Sequence, residues 1–163
     1  MFFPFPDKIF DDVTCIRPEF LRQAGIRGLL LDIDGTLAQT RQPAPSPAVD
    51  AWLAEMRRSG VALYILSNNK SPERTRAFAE RIGCGWRHRS HKPGRKGFAA
   101  AARELGLAPR ELAIVGDQIY TDVLGGMRAG MHTLMVQSTD TYLWYFPLRR
   151  LAELPFRRER RAG

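Results

Sequence analysis

Four aspartates, a serine and a lysine stand where they could act on one substrate. Asp32 and Asp34 flank a single residue in the run Asp32-Ile33-Asp34-Gly35-Thr36-Leu37. On a β-strand, side chains two apart share a side. Asp117 and Asp122 lie in Gly116-Asp117-Gln118-Ile119-Tyr120-Thr121-Asp122, Ser67 opens Ser67-Asn68-Asn69, and Lys92 sits in His91-Lys92-Pro93-Gly94. Adjacent strands are about 4.8 Å apart, so Asp32, Asp34 and Asp117 would crowd at neighbouring strand ends. Such carboxylates repel one another unless a cation lies among them. A hard divalent cation with oxygen ligands, Mg²⁺ first, is the expected cofactor. One aspartate at a strand end is commonly only a turn residue. Four on one rim, with Lys92 and Ser67, are not explained that way.

The elements that must position them are legible from hydropathy. Residues 28–33 (GLLLDI), 61–66 (VALYIL) and 112–116 (LAIVG) are short apolar runs, the pattern of strands covered on both faces. Residues 84–88 and 131–136 read as two further strands. Pro18 opens a short helix that ends near Gly25. Ser46-Pro47 and Ser71-Pro72 each combine an N-cap with proline at the first helical position. Behind the first, Ala48, Val49, Trp52, Leu53 and Met56 recur at helical spacing as far as Gly60. Behind the second, Ala77, Phe78 and Ile82 do so as far as Gly83. Helices are also predicted over 94–105 and 121–129. This alternation predicts an α/β fold, a three-layer α/β/α Rossmann-like sandwich with a five-stranded parallel sheet in the order 3-2-1-4-5. In such sheets ligands bind beyond the carboxyl ends of the strands, where the order reverses. All of the residues above fall on that rim. The expected division is a leader over 1–27 packed on the core, a catalytic domain over 28–137 and a tail over 138–163.

Taken together, D-x-D-G-T-L, S-N-N, K-P and G-D-x-x-x-T-D, in that order between Gly28 and Val136, resemble the motifs of the haloacid dehalogenase superfamily of phosphotransferases. The resemblance implies a role for each residue. Asp32 would be the nucleophile that forms an aspartyl-phosphate. Asp34 would protonate the leaving oxygen and then deprotonate the hydrolytic water. Mg²⁺ would be held by side-chain oxygens of Asp32 and Asp117 and by the backbone carbonyl of Asp34. Ser67 would hydrogen-bond a phosphoryl oxygen, and Lys92 would neutralise charge on the phosphoryl group. Asp122 would steady the metal's waters or Lys92. Gly35, Thr36, Asn68, Asn69 and Gln118 would contact the substrate. An acid at Asp34 favours phosphoryl chemistry over dehalogenation.

From Asp32 to Ser67 is 35 residues and from Ser67 to Lys92 is 25. Each gap has room for one helix and none for a cap domain. A capless site is open to water unless the substrate or a partner covers it. That suits macromolecules or membrane-embedded head groups. Residues 12–21 (DVTCIRPEFL), Ser67-Asn68-Asn69 and residues 116–126 (GDQIYTDVLGG) resemble more closely a capless branch of the superfamily, subclass IIIA or YqeG-type. That branch is similar to the phosphatidylglycerophosphate phosphatases of organelles, and it usually has Asn where Gly35 stands. The resemblance implies a Mg²⁺-dependent phosphatase acting through an aspartyl-phosphate on phosphatidylglycerophosphate or a similar anionic lipid head group. Two alternatives stand beside it: a phosphatase of a soluble phosphorylated metabolite, and a non-catalytic assembly or RNA-interaction protein on the same fold.

The chain has 163 residues, 44% of them hydrophobic, and a net charge of +8. Length predicts one domain, and the hydrophobic content excludes a disordered chain. No run of 18 apolar residues exists, so no membrane-spanning helix is expected. Cys15 and Cys84 make no disulfide framework and fit a reducing compartment, so the expected location is the cytoplasm. Residues 141–163 hold six arginines against two glutamates, half of the net charge. Tyr142, Leu143, Trp144, Tyr145 and Phe146 precede that cluster. Two readings of this tail are open: peripheral contact with the inner face of an anionic membrane, or a basic terminus whose aromatic residues pack on the domain. No recognised nucleic-acid-binding motif is present. Cys84, His88 and His91 are too few for a structural zinc site.

Overall fold

A computed structural model describes residues 4–140 and 152–159. Six strands form one parallel sheet: β1 (Lys8–Phe10), β2 (Gly28–Leu31), β3 (Ala62–Leu66), β4 (Gly85–Arg87), β5 (Leu112–Gly116) and β6 (His132–Val136). Their order is β1-β6-β5-β2-β3-β4. The five strands read from sequence keep their predicted order, from β4 through β2 to β6. The expected number was one short, because residues 8–10 add an edge strand in register with Lys8 opposite Leu134 and Phe10 opposite Val136. Three residues are too few to show alternation. The pairing is fixed by a contact distant in sequence: the Asp7 carboxylate accepts from the Thr133 amide (2.8 Å) and hydroxyl (3.1 Å).

The helices are α1 (Pro18–Gln23), α2 (Pro47–Arg58), α3 (Pro72–Ile82), α4 (Arg95–Leu105) and α5 (Leu124–Ala129). Ser46 and Ser71 cap α2 and α3 through the Val49 and Arg74 amides, which satisfies donors that a helix start leaves orphaned. The helix expected over 121–129 is instead two pieces, a π-helical turn over Ile119–Val123 and then α5.

Alternation along the strands divides the core. Leu29, Leu31, Ile65 and Val115 face Trp52, Leu53, Met56, Phe78 and Ile82 of α2 and α3. Leu30, Tyr64, Leu66 and Ile114 face Phe98, Ala101 and Ala102 of α4. Both layers are closed by fully buried side chains, each worth roughly 1.5–3 kcal/mol of burial. The sheet is therefore a rigid platform whose carboxyl edge carries the polar residues.

Candidate active site

β2 runs straight into Asp32, whose amide donates to Val115 O (3.1 Å), extending the ladder with β5 by one residue. β5 ends at Gly116, and Asp117 is the next residue. The π-helical turn then swings Asp122 back over the end of β5. Gly116 permits this: a Cβ there would lie 2.2 Å from the Asp122 Cγ. Oxygens of Asp32, Asp117 and Asp122 lie within 4.8 Å of one another, and all three residues are buried.

Lys92 enters this cluster from the loop before α4. Its side chain is 2% exposed, and its Nζ donates to Asp32 Oδ1 (2.9 Å), Asp122 Oδ1 (2.6 Å) and Leu66 O (2.9 Å). All three ammonium hydrogens are thus directed. Burial works against its charge, but Asp122 and Asp32 outweigh burial and hold its pKa above the usual lysine value. Lys92 is therefore a fixed cation. Burial is also the largest influence on Asp32 and pushes its pKa well above the usual carboxylate range; Lys92 opposes this, while Asp122 and Asp117 add to it. Three buried carboxylates against one ammonium leave room for further positive charge. The donor set, all hard oxygens, fits a divalent cation such as Mg²⁺. Asp122 belongs to this cluster in addition to its contact with Lys92.

Asp34 is placed differently. Its carboxylate lies at the mouth, 24% exposed. Oδ1 accepts from Arg74 Nε (3.1 Å) and Nη2 (2.8 Å), and Oδ2 accepts from Asn69 Nδ2 (3.0 Å). Arg74 also donates to the carbonyls of Gln39 and Gln42 and stacks over Phe78. It ties the loop after Asp34 to the first turn of α3. Sequence reasoning missed Arg74. The available signal was its place in the first turn of a helix whose start faces the rim.

The other candidates sort by what they touch. Ser67 is buried, and its Oγ accepts from the Asn69 amide (3.0 Å), which leaves its hydroxyl hydrogen to donate. Asn68 clamps the Lys92 backbone: its Oδ1 accepts from Lys92 N (2.8 Å) and its Nδ2 donates to Lys92 O (3.0 Å). Its amide thus holds the lysine loop. Gly35 has φ +81°, a region that glycine and asparagine tolerate best. A Cβ there would lie 2.5 Å from Asp117 Oδ2, so in this chain glycine brings the backbone close against that carboxylate. Thr36 is buried, and its hydroxyl has no hydrogen-bond partner among the described residues. The Gln118 amide donates to Asp122 Oδ2 (3.2 Å), and its side chain accepts from Thr121.

Part of the tail also reaches the rim. Glu153 is buried and accepts from the Ile119 amide (3.2 Å) at the start of the π-helical turn. The Tyr120 hydroxyl donates to Ala152 O (2.9 Å), and Phe156 packs against Phe5 and Tyr120. Residues 141–151 and 160–163, with the whole aromatic run over 142–146 and four of the six arginines, lie outside the described residues.

A family model described as HAD-hydrolase-like matches residues 90–142. The probable phosphatase YqeG of Bacillus subtilis is 34% identical over 147 residues, which cover 88% of this chain and 85% of that protein. The chloroplastic phosphatidylglycerophosphate phosphatase 1 of Chlamydomonas reinhardtii is 32% identical over 145 residues, covering 83% of this chain and 54% of that enzyme. The chain thus spans about half the length of the algal enzyme. A crystal structure of an uncharacterised protein from Listeria monocytogenes serotype 4b has the same fold, with a TM-score of 0.59 at 19% identity over 72% of this chain and 85% of that one. Fold, rim and relatives agree: the chain belongs to the haloacid dehalogenase-like phosphatases, hydrolases of phosphate monoesters, in the family of the Bacillus protein.

Proposed function

We propose that this enzyme is Mg²⁺-dependent, works through a phosphoryl group carried on Asp32, and acts on phosphatidylglycerophosphate or a similar anionic lipid head group. The observation that carries the chemical part is the Asp32–Lys92–Asp122 cluster. A buried carboxylate held by a fixed cation is a nucleophile with a defined direction.

Asp32 Oδ attacks phosphorus as the bond from phosphorus to the leaving oxygen breaks. Asp34, at the mouth, gives that oxygen its proton. Asp34 then takes a proton from water as the water oxygen attacks the phosphorus on Asp32. The phosphorus–Asp32 bond breaks, inorganic phosphate leaves and the carboxylate returns. Lys92 and the Ser67 hydroxyl face charge on the phosphoryl oxygens throughout. A Mg²⁺ held by Asp32, Asp117 and the Asp34 carbonyl would add positive charge against the same oxygens.

Three observations support the lipid substrate. The algal relative bears that name. The gap before Ser67 holds only α2, β3 and their loops, and the gap before Lys92 only α3, β4 and theirs, so neither gap carries an inserted domain over the mouth. Tyr120 and Leu154 are exposed large apolar side chains in the turn after β5 and in the described part of the basic tail, a composition suited to an anionic membrane interface. Among the described residues no helix is long and apolar enough to cross a membrane, so the lipid would be met at the surface, with the basic tail over 141–163 as the contact.

The test is phosphate release from vesicles containing phosphatidylglycerophosphate against a panel of soluble phosphate monoesters, with Mg²⁺ or EDTA. Preference for the vesicles, lost with EDTA and in Asp32→Asn, is expected. Preference for a soluble ester would replace the lipid substrate, and EDTA-insensitive turnover would remove the metal.

A further inference from the structure

Beside the catalytic cluster is a cavity of about 550 Å³, lined by Asn68, Lys70, Arg89, His91 and Lys92. Lys92 points inward from it to Asp32. Lys70, Arg89 and His91 are exposed, and among the described residues none has an ion-pair partner. The mechanism above uses none of the three.

The loop that presents them is strained and firmly held. Arg89 has φ +44° and His91 φ +52°, conformations that side-chain-bearing residues seldom adopt. Such strain persists where surrounding contacts over-determine it, and it gathers at binding sites. Those contacts are present: Arg89 N donates to Asn69 O (3.0 Å), Ser90 N to Ser67 O (3.0 Å) and Ser90 Oγ to Arg87 O (3.0 Å). The Asn68 clamp on Lys92 closes the loop. Glycine or asparagine would relax either position, yet a guanidinium and an imidazole stand there. A preformed cavity with clustered, unneutralised donors is suited to an anion.

We propose that this cavity is a second anion subsite, which takes a phosphate or phosphodiester group of the substrate other than the phosphoryl group that reacts. Lys92 is the shared wall, so a short linker joins the two groups. This deepens the phosphatase reading above and rests on it. In a lipid head group the second anion is the phosphodiester; in a soluble substrate it is a second phosphate.

The experiment compares kcat/KM of the wild type and of Lys70→Gln/Arg89→Asn on three substrates: glycerol 3-phosphate with one phosphate, fructose 1,6-bisphosphate, and phosphatidylglycerophosphate in vesicles. Asparagine at 89 tolerates the left-handed backbone, and a matching Tm shows that the variant folds. The two-anion substrates should lose about ten-fold more per charge removed than the one-phosphate substrate, the scale of a hydrogen bond to a charged group. Lys70→Arg should restore much of that loss. Selective loss on the vesicles alone assigns the subsite to the lipid phosphodiester, and on the bisphosphate alone to a soluble substrate. Equal loss on all three, or none, overturns the subsite. Should the wild type hydrolyse none of them, the phosphatase reading fails separately. The subsite is then read by calorimetry with inorganic pyrophosphate, where equal affinity of wild type and variant overturns it.

Discussion

Asp32 and Asp34 are two residues apart and live in opposite environments. Asp32 is sealed beneath the rim against Lys92, Asp122 and Asp117, with its side chain 9% exposed. Asp34 sits at the mouth, 24% exposed, held by the Arg74 fork and the Asn69 amide. One strand end thus delivers a carboxylate locked in direction and another that meets water. In the mechanism proposed above, attack on phosphorus uses the first and proton exchange with leaving group and solvent uses the second. Division of labour between two like groups comes from surroundings, not from residue type.

Substitutions can break or sharpen that contrast. The largest effect is expected for Asp32→Asn, which keeps the shape and removes the proposed nucleophile; kcat should fall more than about 10⁴-fold, measured by phosphate release. Asp34→Asn should cost about 10²–10⁴-fold, the range of general acid–base catalysis. A leaving group that needs no proton, such as p-nitrophenolate, should recover part of that loss for Asp34→Asn and none for Asp32→Asn. If the ester recovers both variants equally, the two aspartates do not divide the work. Lys92→Met leaves Asp32 and Asp122 buried without their cation. It should destabilise the fold by about 3–5 kcal/mol, read by urea denaturation, and Mg²⁺ should restore stability more in this variant than in the wild type. Arg74→Gln should have the smallest effect, about ten-fold in kcat, because Asn69 still holds the other oxygen of Asp34. A loss in Arg74→Gln as large as that of Asp34→Asn would mean that the arginine touches the substrate.

The rim was legible because the motifs at Asp32, Ser67 and Asp117 each close an apolar run that reads as a buried strand, and α/β sheets place such ends together; Lys92 was placed by its position in the loop before α4. Ser46-Pro47 and Ser71-Pro72 announced α2 and α3 in the same local way. What escaped depended on distant partners. β1 is three residues long and is held by Asp7 on Thr133. Arg74 is one arginine among many until the fold turns it onto Asp34, 40 residues away. Glu153 reads as a tail acid, yet the fold buries it against the amide of Ile119. Asn68 reads as a substrate contact because it comes directly after Ser67, and only the folded loop shows it gripping the backbone of Lys92.

The π-helical turn over Ile119–Val123 sets the rotational phase of α5. It carries one residue more per turn than an α-helix, and each α-helical residue rotates the chain by roughly 100°. Deleting one residue between Gln118 and Asp122 would let the turn relax to α geometry and leave α5 on its face of the sheet. The same deletion would rotate Asp122 out of reach of Lys92. The surplus residue therefore separates two demands along one stretch of chain: the aim of the Asp122 carboxylate in the turn and the packing of α5 that follows it.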